Sequence, residues 1–292
     1  MAVRIVLGTA NFGTNYGFRG VGQKKPNVDF ATASEIIAAA NEIGITEIDT
    51  ALEYGPSQKW VSELASGNNF LVNSKIIWDG ANKYRNYQSS LKQILDELGT
   101  CNLHLLQWHN WEKGSSVRAD YLELHSLLDQ EGMLGFGVTT YGAKAVKEAL
   151  LVNSFCSIQL EYNVLNQSAL KTFLKFREKN QLSLYIRSVL LQGLLSDIPT
   201  LNNPISPKLQ EKISQIQTTA REWNLSTQEV ALRSVMNLVE DCAIVVGAES
   251  GQQLQAINSF VEKGPLPTEL AQIIDLFDSS LDPEVDPRNW VL

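Results

Sequence analysis

A closed (β/α)8 barrel is the fold the sequence predicts, and three observations predict it. Short apolar runs alternate with amphipathic stretches along the whole chain, giving about eight strand–helix units. Runs such as A-I-V-V and L-G-F-G-V suit parallel strands buried on both faces. No linker, composition break or low-complexity segment divides the 292 residues, a length near the usual ~250 for one such barrel. The expectation is a single domain over residues 1–292, with 281–292 a Pro- and Asp-punctuated tail near the barrel mouth.

The elements follow in order. Arg4 to Ala10 reads as the first strand. The Gly- and Asn-rich loop from Asn11 to Phe30 is too long for a mere connector, and loops of that length are usually functional or disordered. Thr32-Ala33-Ser34-Glu35 has capping-box spacing and predicts a helix to Ile43, stopped by Gly44. A second strand runs from Ile45 to Thr50, and Pro56 marks a turn before a helix over Ser57 to Ser66. Phe70 to Ile77 is a strand. Tyr84 to Leu98 carries Leu91, Ile94, Leu95 and Leu98 at helical spacing and ends at Gly99. The alternation goes on through a strand at Leu103–Trp108, a helix at Val117–Gln130 and a strand at Leu134–Thr139. A helix at Ala143–Leu151, a strand at Ser157–Tyr162, a helix at Gln167–Glu178 and a strand at Leu182–Ser188 come next. Helices are expected at Lys208–Trp223 and Ser226–Leu238, the latter capped by Ser226 or Thr227. The last strand is Ala243–Val246, with helices at Gln252–Ser259 and Thr268–Leu276.

Composition narrows the classes of function. The chain is 44% hydrophobic, enough for a large core, and its formal charge of -8 argues against a nucleic-acid surface. Cys101, Cys156 and Cys242 are widely spaced and form neither a metal pattern nor a disulfide framework, which fits a reducing compartment. The opening V-R-I-V-L-G-T-A turns polar too quickly for a signal peptide, and no apolar run is long enough to span a bilayer. A cytoplasmic location, with no membrane partner, is the expectation.

Barrel active sites lie at the C-terminal ends of the strands. Asp49 stands at the end of the second strand and Tyr54 in the loop just beyond, within E-I-D-T-A-L-E-Y-G. The third strand, F-L-V-N-S-K-I-I-W, carries Lys75, a lysine costly to bury in so apolar a run unless Asp49 pairs with it. A free phenol has a pKa near ~10, and a cation held close would lower that of Tyr54. The fourth strand, L-H-L-L-Q-W-H-N, places His109 at its C-terminal end. If that strand is regular, His104 faces the opposite side and is structural, as is His125 on an amphipathic helix.

Asp49, Tyr54, Lys75 and His109 fall in the order and spacing of the tetrad of the aldo-keto reductase family, and D-T-A-L-E-Y-G resembles the family's signature around its catalytic Tyr. L-G-T-A-N-F-G, G-F-G-V-T-T-Y, I-Q-L-E-Y-N-V-L and V-V-G-A-E-S resemble further family segments, so the likeness covers nearly the whole chain. It implies an oxidoreductase that reduces an aldehyde or ketone. Tyr54 would be the general acid, activated by Lys75, with Asp49 holding Lys75 and His109 bonding the carbonyl oxygen. No side chain donates hydride, so a nicotinamide cofactor is required.

The resemblance also assigns a cofactor site. Gln159 matches the glutamine that holds the nicotinamide carboxamide, while Thr139 and Thr140 stand where the family usually has Ser and Asn. Arg187 occupies the place where many members stack a Tyr on the nicotinamide ring, free to lie flat there or reach the pyrophosphate, and Ser188 could contact phosphate. Where NADPH-dependent members place Lys or Arg, this chain has Gly247 and Gln253, and Glu249 adds a negative charge. NADP(H) or NAD(H) is the expected cofactor. NADP(H) is weakly favoured, with backbone N–H groups at the start of the Gln252 helix able to receive the 2′-phosphate. Gln58, where the family has Glu, would affect loop packing.

The substrate pocket is expected to draw on Tyr16, Trp78, Trp108, Trp111 and Trp290, aromatic walls suited to a flat or sugar-like ligand. Arg19, Lys24 and Lys25 in the first loop suit a polar or phosphorylated substrate. The start, L-G-T-A-x-F-G-x-x-Y-G, is similar to a bacterial branch linked to surface-polysaccharide sugars. The hairpin that usually plugs the barrel bottom has no room before Arg4, so something else must cover that end. Two other readings stand beside the reductase. A cofactor-binding regulatory subunit would turn over slowly and expose a large apolar surface. A lyase or isomerase using Lys75 as a Schiff-base amine would be trapped by borohydride.

Overall fold

The computed structural model describes residues 3–14, 16–17, 28–77, 87–99, 102–109, 111, 135–152, 155–177, 182–196 and 205–290. Strands β1 (Arg4–Gly8), β2 (Glu47–Asp49), β3 (Leu71–Ile76), β4 (Asn102–Trp108), β5 (Phe136–Thr139), β6 (Ser157–Glu161), β7 (Ser183–Arg187) and β8 (Ala243–Val246) pair in parallel and in chain order, and β8 closes on β1. The described helices outside them are α1 (Phe30–Glu42), α2 (Ser57–Ala65), α3 (Tyr87–Leu98), α4 (Gly142–Leu150), α5 (Ser168–Phe176), α6 (Pro207–Glu222), α7 (Thr227–Met236), α8 (Gly251–Glu262) and α9 (Thr268–Asp275). The expected helix over 117–130 lies outside the described residues, as do Trp78, Arg19, Lys24, Lys25, His125 and Cys101.

Alternation sorts every strand into two faces. Leu7, Ile48, Val72, Leu106, Val138, Ile158, Ile186 and Ile244 point outward and join the helices in the main core. Val6, Leu105, Tyr185 and Ala243 form a small apolar layer inside the barrel. Polar groups sit above and below that layer, so the interior is not one hydrophobic plug.

The lower polar group lies at the N-terminal end of the strands. Arg4 ion-pairs with Glu47 at 3.1 Å, Asn73 donates to Glu47 at 2.6 Å, and the Tyr185 hydroxyl donates to the same carboxylate. The Arg4 guanidinium also lies over the Tyr185 ring. Tyr185→Phe is expected to cost about 1–2 kcal/mol, because Glu47 stays buried with one donor fewer. Urea denaturation measures it, and an unchanged midpoint would mean the cluster contributes nothing.

Two expectations need correction. Helix α1 begins two residues before Thr32, with Asp29 accepting from the Thr32 N–H at 2.8 Å. Asp29 is the better cap, and the edge-on packing of Phe30 against Trp60 draws Phe30 into the helix. Strand β4 is not regular: its pairing with β3 shifts register between Val72 and Asn73, near His104. The parity argument across His104 therefore fails, although His109 does follow Leu105 and Gln107 on the inward side.

Candidate active site

Asp49, Lys75 and Gln159 meet at the upper end of the barrel interior. Lys75 is fully buried and donates to Asp49 and, at 3.0 Å, to the Thr50 carbonyl. Gln159 donates to the other Asp49 oxygen at 2.8 Å and faces Gln107 at 3.4 Å, which in turn faces Ser157. Burial lowers the Lys75 pKa, and Asp49 works against that by favouring the ammonium.

The loop after β2 holds Tyr54 over this pair. Ser57 donates to Thr9 and meets Thr50 at 3.2 Å, and Thr9 donates to the Asp49 carbonyl, so buried hydroxyls tie the loop to β1. Gly13 lets the first loop close down: a Cβ there would lie 2.3 Å from the Pro56 ring, and its φ is +64°. Gln58 is buried between Ser74 and Glu97, a packing position between α2 and α3. Tyr54 lies with its ring 5.4 Å from the Lys75 amine and its hydroxyl 3.5 Å from His109 Nε2. His109 Nδ1 faces Glu53 at 3.3 Å.

The phenol is not softened as the sequence suggests. Burial and then the Asp49 charge push the Tyr54 pKa well above its usual value, and Arg187 only partly opposes them. The described hydrogen bonds of Lys75 go to Asp49 and Thr50, so its charge is largely cancelled before it reaches Tyr54. His109 is held below the ordinary imidazole value, chiefly by burial and also by Lys75 and Arg187, against the pull of Glu53.

Arg187 enters the same space from β7. It donates to the Thr140 carbonyl at 2.7 Å, approaches Glu161 at 3.9 Å and stacks 3.9 Å above the Tyr141 ring. Arg288, from the tail, lies over that ring at 4.2 Å. Tyr16 is 48% exposed, yet burial and Tyr141 raise its pKa and Arg187 opposes them, so these three and Tyr54 form one electrostatic group. Beyond β7 the chain turns through left-handed Ser188, Leu191 and Gln192, a strained run of a kind that gathers at functional loops.

Several expected contacts are placed elsewhere. Trp108 points into the helix–sheet layer, edge-on to Phe136, and Trp111 packs edge-on to Phe155; both are buried and neither walls the mouth. Outward parity on β4 decides the first, since Leu106 and Trp108 share a face. Trp290 anchors the tail by donating to the Glu284 carbonyl at 2.8 Å and packs on the core. Thr139 donates to the carbonyls of Trp108 and His109, and Thr140 to that of Gln159, so these hydroxyls brace strand ends. At the start of α8, Gln253 caps the Glu249 N–H at 2.7 Å and Ser250 caps the Gln253 N–H at 3.1 Å, which occupies donors reserved above for a 2′-phosphate.

Sequence reasoning missed Glu53, Tyr141, Glu161, Arg288 and Asn11. Asn11 is buried beside Gly247, donates to the Ala248 carbonyl, and leaves its Oδ1 without a partner. Glu161 is buried with one oxygen accepting from the Gly142 N–H and the other without a hydrogen bond. A buried carboxylate at the inner end of β6 was readable as a signal in I-Q-L-E-Y, because its parity matches Gln159.

A closed barrel with this buried carboxylate–lysine pair beneath a tyrosine and a histidine forms the candidate site at the strand C-termini. The chain belongs to the aldo/keto reductase family, whose model matches residues 4–278, and is an NAD(P)H-dependent enzyme acting on small carbonyl compounds. Among solved structures it is similar to the holo form of aldo-keto reductase AKR11C1 from Bacillus halodurans, at 20% identity and a TM-score of 0.77, covering 96% of this chain and 93% of that one. It is also similar to the glycerol dehydrogenase AKR11B4 from Gluconobacter oxydans, at 21% identity and a TM-score of 0.72, covering 94% and 91%. No curated protein matches the chain. Among the described residues no group of His, Cys, Asp and Glu could hold a metal ion, and no helix is long and apolar enough to cross a membrane.

Proposed function

We propose that this chain reduces a polar, sugar-like aldehyde or ketone, with Tyr54 giving the proton to the carbonyl oxygen. The observation that carries this reading is Tyr54, with its hydroxyl 3.5 Å from His109 and its ring 5.4 Å from the amine of the buried Asp49–Lys75 pair. A raised phenol pKa does not defeat it. The oxygen becomes an alkoxide as hydride arrives, and an alkoxide is a stronger base than any phenolate, so the transfer stays downhill. The raised value keeps Tyr54 protonated, and thus able to donate, across neutral pH. Lys75 lies below the ring, and Asp49 with Gln159 fixes its position.

The residues present fit a nicotinamide dinucleotide. The unpartnered Oδ1 of Asn11 beside Gly247 suits a donor such as a ribose hydroxyl. When bound, the cofactor supplies the hydride. Gln159, Ser188 and Arg187 remain the groups to hold it at the mouth. At the far end Gln253 and Ser250 already accept from the Glu249 and Gln253 N–H groups, which leaves fewer α8 donors for a 2′-phosphate. NAD(H) fits that end better than NADP(H).

With Trp108 and Trp111 in the core, the described residues at the mouth include Tyr16, Tyr141, Arg187 and Glu53, partners for hydroxyl groups. Parallel titration with NADH and NADPH, followed by a panel of aldoses, ketoses and aromatic aldehydes, tests the reading. NADH is expected to bind about tenfold tighter, and hydroxylated carbonyls to be turned over faster than aromatic ones. Tighter NADPH binding would overturn the cofactor assignment, and no turnover with any carbonyl would overturn the function.

A further inference from the structure

We propose that Glu53 is a positioning residue that fixes the proton of neutral His109 on Nδ1, so that Nε2 becomes a donor toward the substrate oxygen only when His109 takes up a second proton. This rests on the reductase reading. Glu53 lies in the loop between β2 and α2, with its carboxylate 3.3 Å from His109 Nδ1 and its side chain 30% exposed. An ionised carboxylate can only accept, so the ring nitrogen facing it must carry the hydrogen. A neutral imidazole has one N–H, which leaves a lone pair on Nε2. That lone pair faces the Tyr54 hydroxyl at 3.5 Å, and the hydroxyl donates to it.

The neutral form therefore cannot do what a carbonyl oxygen needs. A lone pair aimed at a developing alkoxide repels it. The imidazolium satisfies both sides: Nδ1–H stays on Glu53 and Nε2–H turns to the oxygen. The balance between the two forms is set by burial and by groups from three directions. Glu53 favours the imidazolium, while burial, Lys75 from β3 and Arg187 from β7 disfavour it. Asp49 acts indirectly, by neutralising Lys75, and Tyr54 faces Nε2 as a neutral donor. Behind the ring, Thr139 holds the His109 carbonyl, so the backbone is fixed and the choice of tautomer falls to Glu53. The sign follows: reduction gains as pH falls through the His109 value, which lies below the ordinary ~6.5.

Glu53→Gln tests this in the full-length chain with NAD(H). A glutamine can present its N–H2 to Nδ1, which moves the ring hydrogen to Nε2 and removes the charge. Nitrogen-15 spectra of the three histidines, with His109→Ala to assign the resonance, read the tautomer directly. In the parent, Nδ1 is expected to carry the hydrogen above the His109 pKa. In Glu53→Gln that preference is expected to reverse and the pKa to fall by about one unit, the loss of one adjacent opposite charge. The reduction rate, which in the parent declines above the His109 value, is expected to become flat there. Glu53→Leu, which can neither accept nor donate, is expected to lose the Nδ1 preference without gaining the flat profile in full. An unchanged tautomer and pKa in Glu53→Gln would overturn the positioning role. A changed tautomer with an unchanged pH profile would overturn its link to turnover. Failure of the parent to reduce any carbonyl would instead sink the reductase reading, and the spectra would still decide the tautomer.

Discussion

Tyr54→Phe is expected to lower carbonyl reduction by at least about a hundredfold, the low end of what a positioned general acid contributes. Cofactor affinity should be unchanged, because the change removes one oxygen and keeps the ring that lies over Lys75. The phenol also has a signature in pH. Burial and Asp49 hold its proton, so the limb that reports Tyr54 in reduction should appear only above the ordinary phenol value of ~10. Alcohol oxidation needs the phenolate and should rise with pH toward the same limb. Steady-state kinetics in both directions measure this, alongside a fluorescence titration with NADH. Parent-like turnover in the Phe variant would remove Tyr54 from the mechanism.

The second large effect lies in the pair beneath. Lys75→Met should abolish reduction and also cost about 3–5 kcal/mol of stability, because Asp49 would keep its charge with Gln159 as its remaining described donor. The double replacement Asp49→Asn with Lys75→Met removes both charges and should recover most of that stability. Activity should not return with it. Denaturant midpoints and turnover measured on the three proteins separate the two roles of the pair. If the double variant regained activity together with stability, the ion pair would serve only to hold the barrel shut.

The two halves of the site were not equally legible. Asp49 and Lys75 could be paired from sequence because neighbouring parallel strands bring equivalent ends together and a lone lysine in an apolar run has to find an acceptor. Tyr54 and His109 could be placed by rank order of strands, since a barrel puts every strand end at one rim. The tryptophans could not. Trp108 shares a face with Leu106, but that this face meets the helix layer and Phe136 is decided only when the barrel closes.

The same division runs through the whole molecule. The alternation of apolar strands with helices and an acidic residue and a lysine on adjacent strands are local patterns, and they gave the fold class and the Asp49–Lys75 pair; the family came from the resemblance of D-T-A-L-E-Y-G and its companion segments. The direction of the Tyr54 pKa, the capping of α8 by its own Gln253, the stack of Tyr141 between Arg187 and Arg288, and the approach of Glu53 to His109 were decided by tertiary structure. Each of these depends on distance and burial between groups far apart in the chain. Spacing along a sequence carries neither, because electrostatic and hydrogen-bond energies depend on separations of a few ångströms that come into being when the barrel closes.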